Sequence, residues 1–197
     1  MATLELYFDF LSPYTYLAST QVEAIASRTT AKVEFTPFQI LELMKRVGNR
    51  PTTLESANKH RYATADLQRW AERYGVPLNP HPRLRTFDYD LLLRGAVAAD
   101  EAGMASDYVR GVLRAIWGEP RDLDNLETFV SLLDELGLSG ARIVERASEA
   151  EVAERLAKNT ERAAERGAFG SPTWYVGDQM FFGNDRLDFV EHALATA

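Results

Sequence analysis

Strand-forming signals sit at the two ends of this 197-residue chain, and that placement restricts the available folds more than any other feature. Near the N-terminus, Leu4-Glu5-Leu6-Tyr7-Phe8-Asp9-Phe10 is apolar and aromatic-rich, and it reads as a buried strand. Ser12 follows as an N-cap with Pro13 at the first helical position. Ala18, Val22 and Ile25 then recur at helical spacing, which predicts a helix at about 14–28. The alternating stretch Lys32–Phe38 is a second strand, and strand–helix–strand with a long crossover implies right-handed parallel pairing. At the other end, Thr173–Val176 and Gln179–Phe182 flank Gly177-Asp178, a two-residue connection in which glycine supplies the positive φ of a type II′ turn. A last helix follows Asn184 or Asp185, with Leu187, Val190 and Leu194 on one face.

Between these ends, residues 40 to 166 are almost wholly helical in period. Ala63, Leu67, Trp70 and Tyr74 share a face of a helix that Gly75 and Pro77 terminate. Leu92, Ala96 and Ala99 mark another, ended by Gly103, and Val109, Val112 and Ile116 a third. Asp124 with Glu127, and Ser148 with Glu151, read as N-terminal boxes of two more, closed by Gly137 and Gly167. Neither end holds a complete sheet, so the two must combine into one. The fold class is therefore α/β: a thioredoxin-like mixed sheet with a large all-helical insertion. Its expected organisation is a first β-α-β half at 1–40, a helical insertion at 41–166 and a β-β-α half at 167–197.

Charge and composition narrow the function. The chain carries 22 basic and 29 acidic residues, a net charge of −7, without a long basic cluster. Nucleic acid and anionic membranes are thus not expected partners. No apolar run approaches the roughly 18–20 residues that span a bilayer, and a basic leader is absent, so a cytoplasmic location is expected. There is no cysteine. Thiol chemistry here would have to arrive with a ligand. His60, His81 and His192 are widely spaced, which argues against a zinc site and reads as surface or loop histidines.

Three short stretches exceed the needs of core packing. Ser12-Pro13-Tyr14 places a hydroxyl at a strand-to-helix turn where helix N–H groups converge, although the same serine serves simply as a cap. Ser171-Pro172, entering a strand, is a candidate cis peptide that would turn its backbone groups toward a groove. Gly183-Asn184-Asp185-Arg186 opens a helix whose N–H groups and side chains could hold the charged end of a ligand or merely cap it.

Phe8-Asp9-Phe10-Leu11-Ser12-Pro13-Tyr14, Gly48-Asn49-Arg50-Pro51, Phe169-Gly170-Ser171-Pro172-Thr173 and Phe181-Phe182-Gly183-Asn184-Asp185-Arg186-Leu187 resemble the motifs of 2-hydroxychromene-2-carboxylate isomerases. These are glutathione-dependent relatives of kappa-class glutathione transferases and, more distantly, of periplasmic disulfide oxidoreductases. The resemblance runs nearly end to end, including Arg69-Trp70-Ala71 through Gly75-Val76-Pro77-Leu78. It implies that Ser12 occupies the place of the redox relatives' first C-x-x-C cysteine and donates a hydrogen bond to the sulfur of bound glutathione. Pro13 and Tyr14 would belong to the same ligand-binding turn, Ser171 and Pro172 to a cis-proline loop holding the cysteinyl part. Asn184 and Asp185 would bind the γ-glutamyl end, with Asn49 and Lys59 as further ligand contacts.

The reaction so implied is cis–trans isomerisation of 2-hydroxychromene-2-carboxylate or a related aromatic-degradation intermediate. A Ser12-stabilised thiolate adds reversibly to the conjugated alkene, and glutathione is regenerated as a cofactor. The family also implies a homodimer. Tyr14, Trp117 and Trp174 are candidate pocket walls, with core packing as the simpler account. Asp88 and Asp90 stand where relatives tend to carry an Asn-Thr pair, and read either as an acid/base pair or as a helix cap. Two other functions fit the same motifs: a kappa-type transferase or peroxidase, and a non-enzymatic thioredoxin-like binding or chaperone module.

Overall fold

The computed structural model describes residues 1–197, apart from the side chain of Leu54. In chain order the elements are β1 (Thr3–Phe8), α1 (Pro13–Ser19), α2 (Val22–Thr29) and β2 (Lys32–Pro37). Then follow α3 (Ile40–Arg46), α4 (Ala57–Tyr74), α5 (Tyr89–Glu101), α6 (Ala105–Trp117), α7 (Leu126–Glu135), α8 (Gly140–Ala147) and α9 (Ala150–Glu165). The chain closes with β3 (Thr173–Val176), β4 (Gln179–Phe182) and α10 (Leu187–Thr196). The two ends do join into one mixed sheet, in the order β2-β1-β3-β4. β1 runs parallel to β2 with Leu6 opposite Phe35, and antiparallel to β3 with Leu6 opposite Trp174. Gly177, at φ 57°, makes the β3–β4 turn while Asp178 stays outside the left-handed region, as a type II′ turn requires.

Alternation along β1 divides the core between the two faces of the sheet. Leu4, Leu6 and Phe8 join a large cluster with Trp174, Val190 and the helical residues Ala96, Val97, Tyr108, Val112 and Ile116. The insertion thus shares the core of the sheet. Tyr7 and Tyr175 face the other way, against Phe38 just after β2, Ile40 and Leu43 from α3, and Ala163 from α9.

Several helix ends differ from the sequence reading. The expected helix at 14–28 is two helices: Ser19 Oγ and Thr20 Oγ1 donate to the carbonyls of Tyr16 and Leu17, each at 2.7 Å, and interrupt the backbone ladder. The cap of α7 is Asn125, which accepts from the Thr128 N–H, whereas Asp124 pairs with Arg83 and Thr86. Ser148 does not cap α9; its hydroxyl turns back to the Glu145 carbonyl at the end of α8, a short helix absent from the sequence reading. His81 lies in a loop, as one of the two sequence readings has it, but is buried there between Asp122 and the Arg83 N–H.

Candidate active site

The C-terminal end of β1 collects most of the segments singled out in the sequence. Ser12 lies just beyond it with extended backbone (φ −93°, ψ 115°), capping α1 by accepting from the Thr15 N–H at 3.3 Å. Pro13 sits at the first position of that helix. Because β3 is antiparallel to β1, the segment entering β3 returns to the same end. The Ser171–Pro172 bond there is cis, and the Ser12 hydroxyl donates to the Ser171 carbonyl at 2.9 Å. The Ser171 hydroxyl is shared in turn with Thr15 Oγ1 (2.7 Å) and accepts from the Asp9 N–H (2.9 Å). The turn around Ser12 and the Ser171–Pro172 segment are therefore held face to face.

Asn184 follows β4 at this end. Gly183 makes the turn at φ 100°, and a side chain there would strike the Asp185 carboxylate. Asn184 is 3% exposed; its carbonyl accepts from Tyr74 Oη at 2.9 Å, while its Nδ2 has no partner among the described residues. A buried amide donor left in this state retains an unused hydrogen bond. Asp185 is exposed and pairs with Arg186. Asn49, beyond α3, donates through Nδ2 to the Phe169 carbonyl at 2.7 Å, and so braces the approach to the cis bond.

A cavity of about 450 Å³ opens beside α1, lined by Tyr14, Thr52, Thr53, Asn58, Lys59 and Tyr62. Tyr14 donates to Asp66 at 3.2 Å, and partial burial, reinforced by the Asp66 charge, holds its phenol well above the usual range. It remains a neutral donor at all ordinary pH. Lys59 is ion-paired with Glu55, which also takes Arg50. These two salt bridges hold Glu55 below the normal carboxylate range. Lys59 thus reaches the cavity wall, but with its charge already matched.

Trp174 is fully buried and donates to the Gly183 carbonyl, while Trp117, 6% exposed, donates to the Phe10 carbonyl. Both brace the backbone of the site from behind rather than forming open walls. Asp88 caps α5 through the Leu91 N–H, and Asp90 pairs with Arg94 and Gln39. The two carboxylates have separate structural partners.

Asp9, Thr15 and Tyr89 carry parts of the site that the sequence reading left without a role. Asp9 is buried, accepting from the backbone N–H groups of Leu11 (2.7 Å) and Ile40 (2.8 Å). Burial pushes its carboxyl up to about 6, against the opposing pull of those two hydrogen bonds. Tyr89 Oη is buried without a partner among the described residues; burial first, then the charge of Asp9, raises its phenol. In the sequence, Asp9 stands out as an acidic residue between Phe8 and Phe10 at the apolar end of β1.

Residues 3–195 match the family model described as a DSBA-like thioredoxin domain. The 2-hydroxychromene-2-carboxylate isomerase of Sphingobium xenophagum is 34% identical over 196 residues, spanning 98% of this chain and 97% of that protein. Glutathione S-transferase kappa 1 of Homo sapiens is 26% identical, over 98% of this chain and 90% of its own length. A solved 2-hydroxychromene-2-carboxylate isomerase superposes with a TM-score of 0.88 at 30% identity, covering 98% of this chain and 95% of that one.

Proposed function

Since this chain belongs to the 2-hydroxychromene-2-carboxylate isomerase family of DSBA-like thioredoxin domains, we propose that it is a glutathione-dependent cis–trans isomerase acting on 2-hydroxychromene-2-carboxylate or a close relative. The observation that carries this reading is the pairing of Ser12 with the Ser171–Pro172 segment in a chain that has no cysteine of its own. Glutathione, when bound, supplies a thiolate able to add reversibly to a conjugated alkene and so permit rotation about it.

Each residue of the site has a definable task toward such a ligand. Ser12 turns its proton from the Ser171 carbonyl to the sulfur, favouring the charged over the protonated thiol through a hydrogen bond to the charged form. It is an activator; among the described residues no histidine hydrogen-bonds to it to make it a nucleophile. The Ser171 carbonyl, released by Ser12, accepts from a ligand amide. Asn184 Nδ2 gives its missing hydrogen bond to the γ-glutamyl end, with Asp185 beside it to receive an ammonium group. Tyr14 and Lys59 line the adjoining cavity, and a ligand carboxylate there would take the Tyr14 proton from Asp66 and the Lys59 ammonium from Glu55.

Replacing Ser12 with Ala tests the assignment. Glutathione should still bind by calorimetry, its ultraviolet thiolate band at neutral pH should weaken, and turnover should fall at least tenfold. A Ser12→Ala protein with an unchanged thiolate band would contradict the role given to Ser12. Glutathione consumed in step with turnover would instead place the chain with the kappa-type transferases, and no detectable binding at millimolar glutathione would favour a binding module without catalysis.

A further inference from the structure

Asp9 is the one acidic side chain in the core among the described residues, 1% exposed. A carboxylate taken from water into the interior is costly unless it is paired, and no cation stands among the groups acting on Asp9. Its two oxygens reach instead to two backbone N–H groups in separate segments: Oδ1 accepts from Leu11 and Oδ2 from Ile40. Gln39, the residue preceding α3, makes no side-chain cap, so Asp9 caps that helix from 31 residues away.

These contacts belong to a closed circuit. From Asp9 it passes to the start of α3 and along the helix to Asn49, whose N–H donates to the Met44 carbonyl. Asn49 Nδ2 ties to the Phe169 carbonyl, and two residues later Ser171 Oγ accepts from the N–H of Asp9. The hydrogen bond from Ser12 to the Ser171 carbonyl joins two segments of this circuit, the turn after Asp9 and the residue that accepts from the Asp9 N–H. We propose that Asp9 is a positioning residue for the reaction: its carboxylate clamps the Leu11–Ser12 turn to the start of α3 and thereby fixes the Ser12 hydroxyl against the Ser171 carbonyl. The role rests on the reading of Ser12 as the group that holds a ligand thiolate.

Asp9 does this only with two acceptor oxygens. An amide has one, and it would turn an NH2 group toward the second backbone N–H. A protonated carboxyl likewise replaces one acceptor by a donor. The titratable side chain that faces Asp9 among the described residues is Tyr89, from the start of α5. Ser171 and Thr15 reach this junction with hydroxyls, and α3 with the peptide N–H of Ile40.

The test is the full-length Asp9→Asn protein beside the wild type, with two readouts. In amide NMR of the wild type, Leu11 and Ile40 should titrate together with a midpoint near pH 6, and Asp9→Asn should abolish that step. In turnover, Asp9→Asn should lose at least tenfold in kcat with a smaller change in the KM for glutathione, and it should lack the wild type's acid limb near pH 6. A cooperative thermal transition in the variant separates this from misfolding. Asp9→Asn with wild-type kcat and an unaltered acid limb would overturn the proposal, as would Leu11 and Ile40 amides that do not respond between pH 5 and 7. Wild-type protein that neither binds nor uses glutathione would remove the underlying functional reading. The proposed role falls with it, and the amide titration then reports whether the clamp itself exists.

Discussion

Ser12 makes two hydrogen bonds, accepting from the Thr15 N–H and donating to the Ser171 carbonyl, and only the second competes with its proposed chemistry. On the proposed reading, ligand binding exchanges one hydrogen bond for another rather than satisfying an idle group, and the cap of α1 is kept throughout. The opposite case is Asp9, whose charge is retained at a cost. Its carboxyl is raised from 3.8 to about 6, so the folded protein holds that proton more tightly than the unfolded chain does. Stability from this group is then greatest below about pH 4 and declines as pH rises through about 6, by about 3 kcal/mol in all. Stability measured by denaturant should show the wild type losing ground to Asp9→Asn by about that amount between about pH 4 and 7; a difference independent of pH would contradict it. Ser12, Ser171 and Asn184 were legible because each lies in a local motif with its own turn chemistry. Asp9 was not, since its partner at Ile40 is fixed only by the parallel pairing of β1 with β2. The same holds for Tyr89, brought near Asp9 from 80 residues away by the packing of α5.

At the scale of elements, the strands were the easier part to read. Their periodicity is short and their glycine turn unambiguous, and the observed β3–β4 hairpin matches the expected bounds. Helix ends were harder, because adjacent polar residues compete for the same cap. Asp124 and Asn125 are equally suited to α7, and what selects Asn125 is the salt bridge that Arg83 offers to Asp124. Likewise, Ser19 and Thr20 have side chains that fit a continuous helix on paper, yet their hydroxyls divide α1 from α2. The contact of α5 with α6 rests on a small residue. A Cβ on Gly95 would come within 2.1 Å of Tyr108 Oη, whose ring is buried and whose hydroxyl donates to the Leu92 carbonyl. Gly95→Ala should therefore destabilise the protein by about 1–3 kcal/mol despite its better helix propensity. Thermal unfolding checks this, and an unchanged or raised midpoint would show that the crossing can relax.

For the molecule as a whole, the insertion between β2 and β3 is not an appendage. Its helices complete the core beneath the sheet, and α3 and α4 bring Asn49, Lys59 and Tyr74 to the same edge as Ser12. The net charge of −7 is accommodated by surface networks such as Arg146 with Glu101, Glu149 and Glu151, so the balance of charge says little about the site. Among the described residues no helix is long and apolar enough to cross a membrane. Both ends of the chain and one flank of the insertion thus meet around Ser12, where the proposed function places a ligand that brings its own thiol. The most direct test is to assay 2-hydroxychromene-2-carboxylate with and without a catalytic amount of glutathione while following the thiol. The account predicts rapid interconversion that requires glutathione and leaves its concentration unchanged over many turnovers. Equal rates in its absence, or loss of one thiol per turnover, would contradict it.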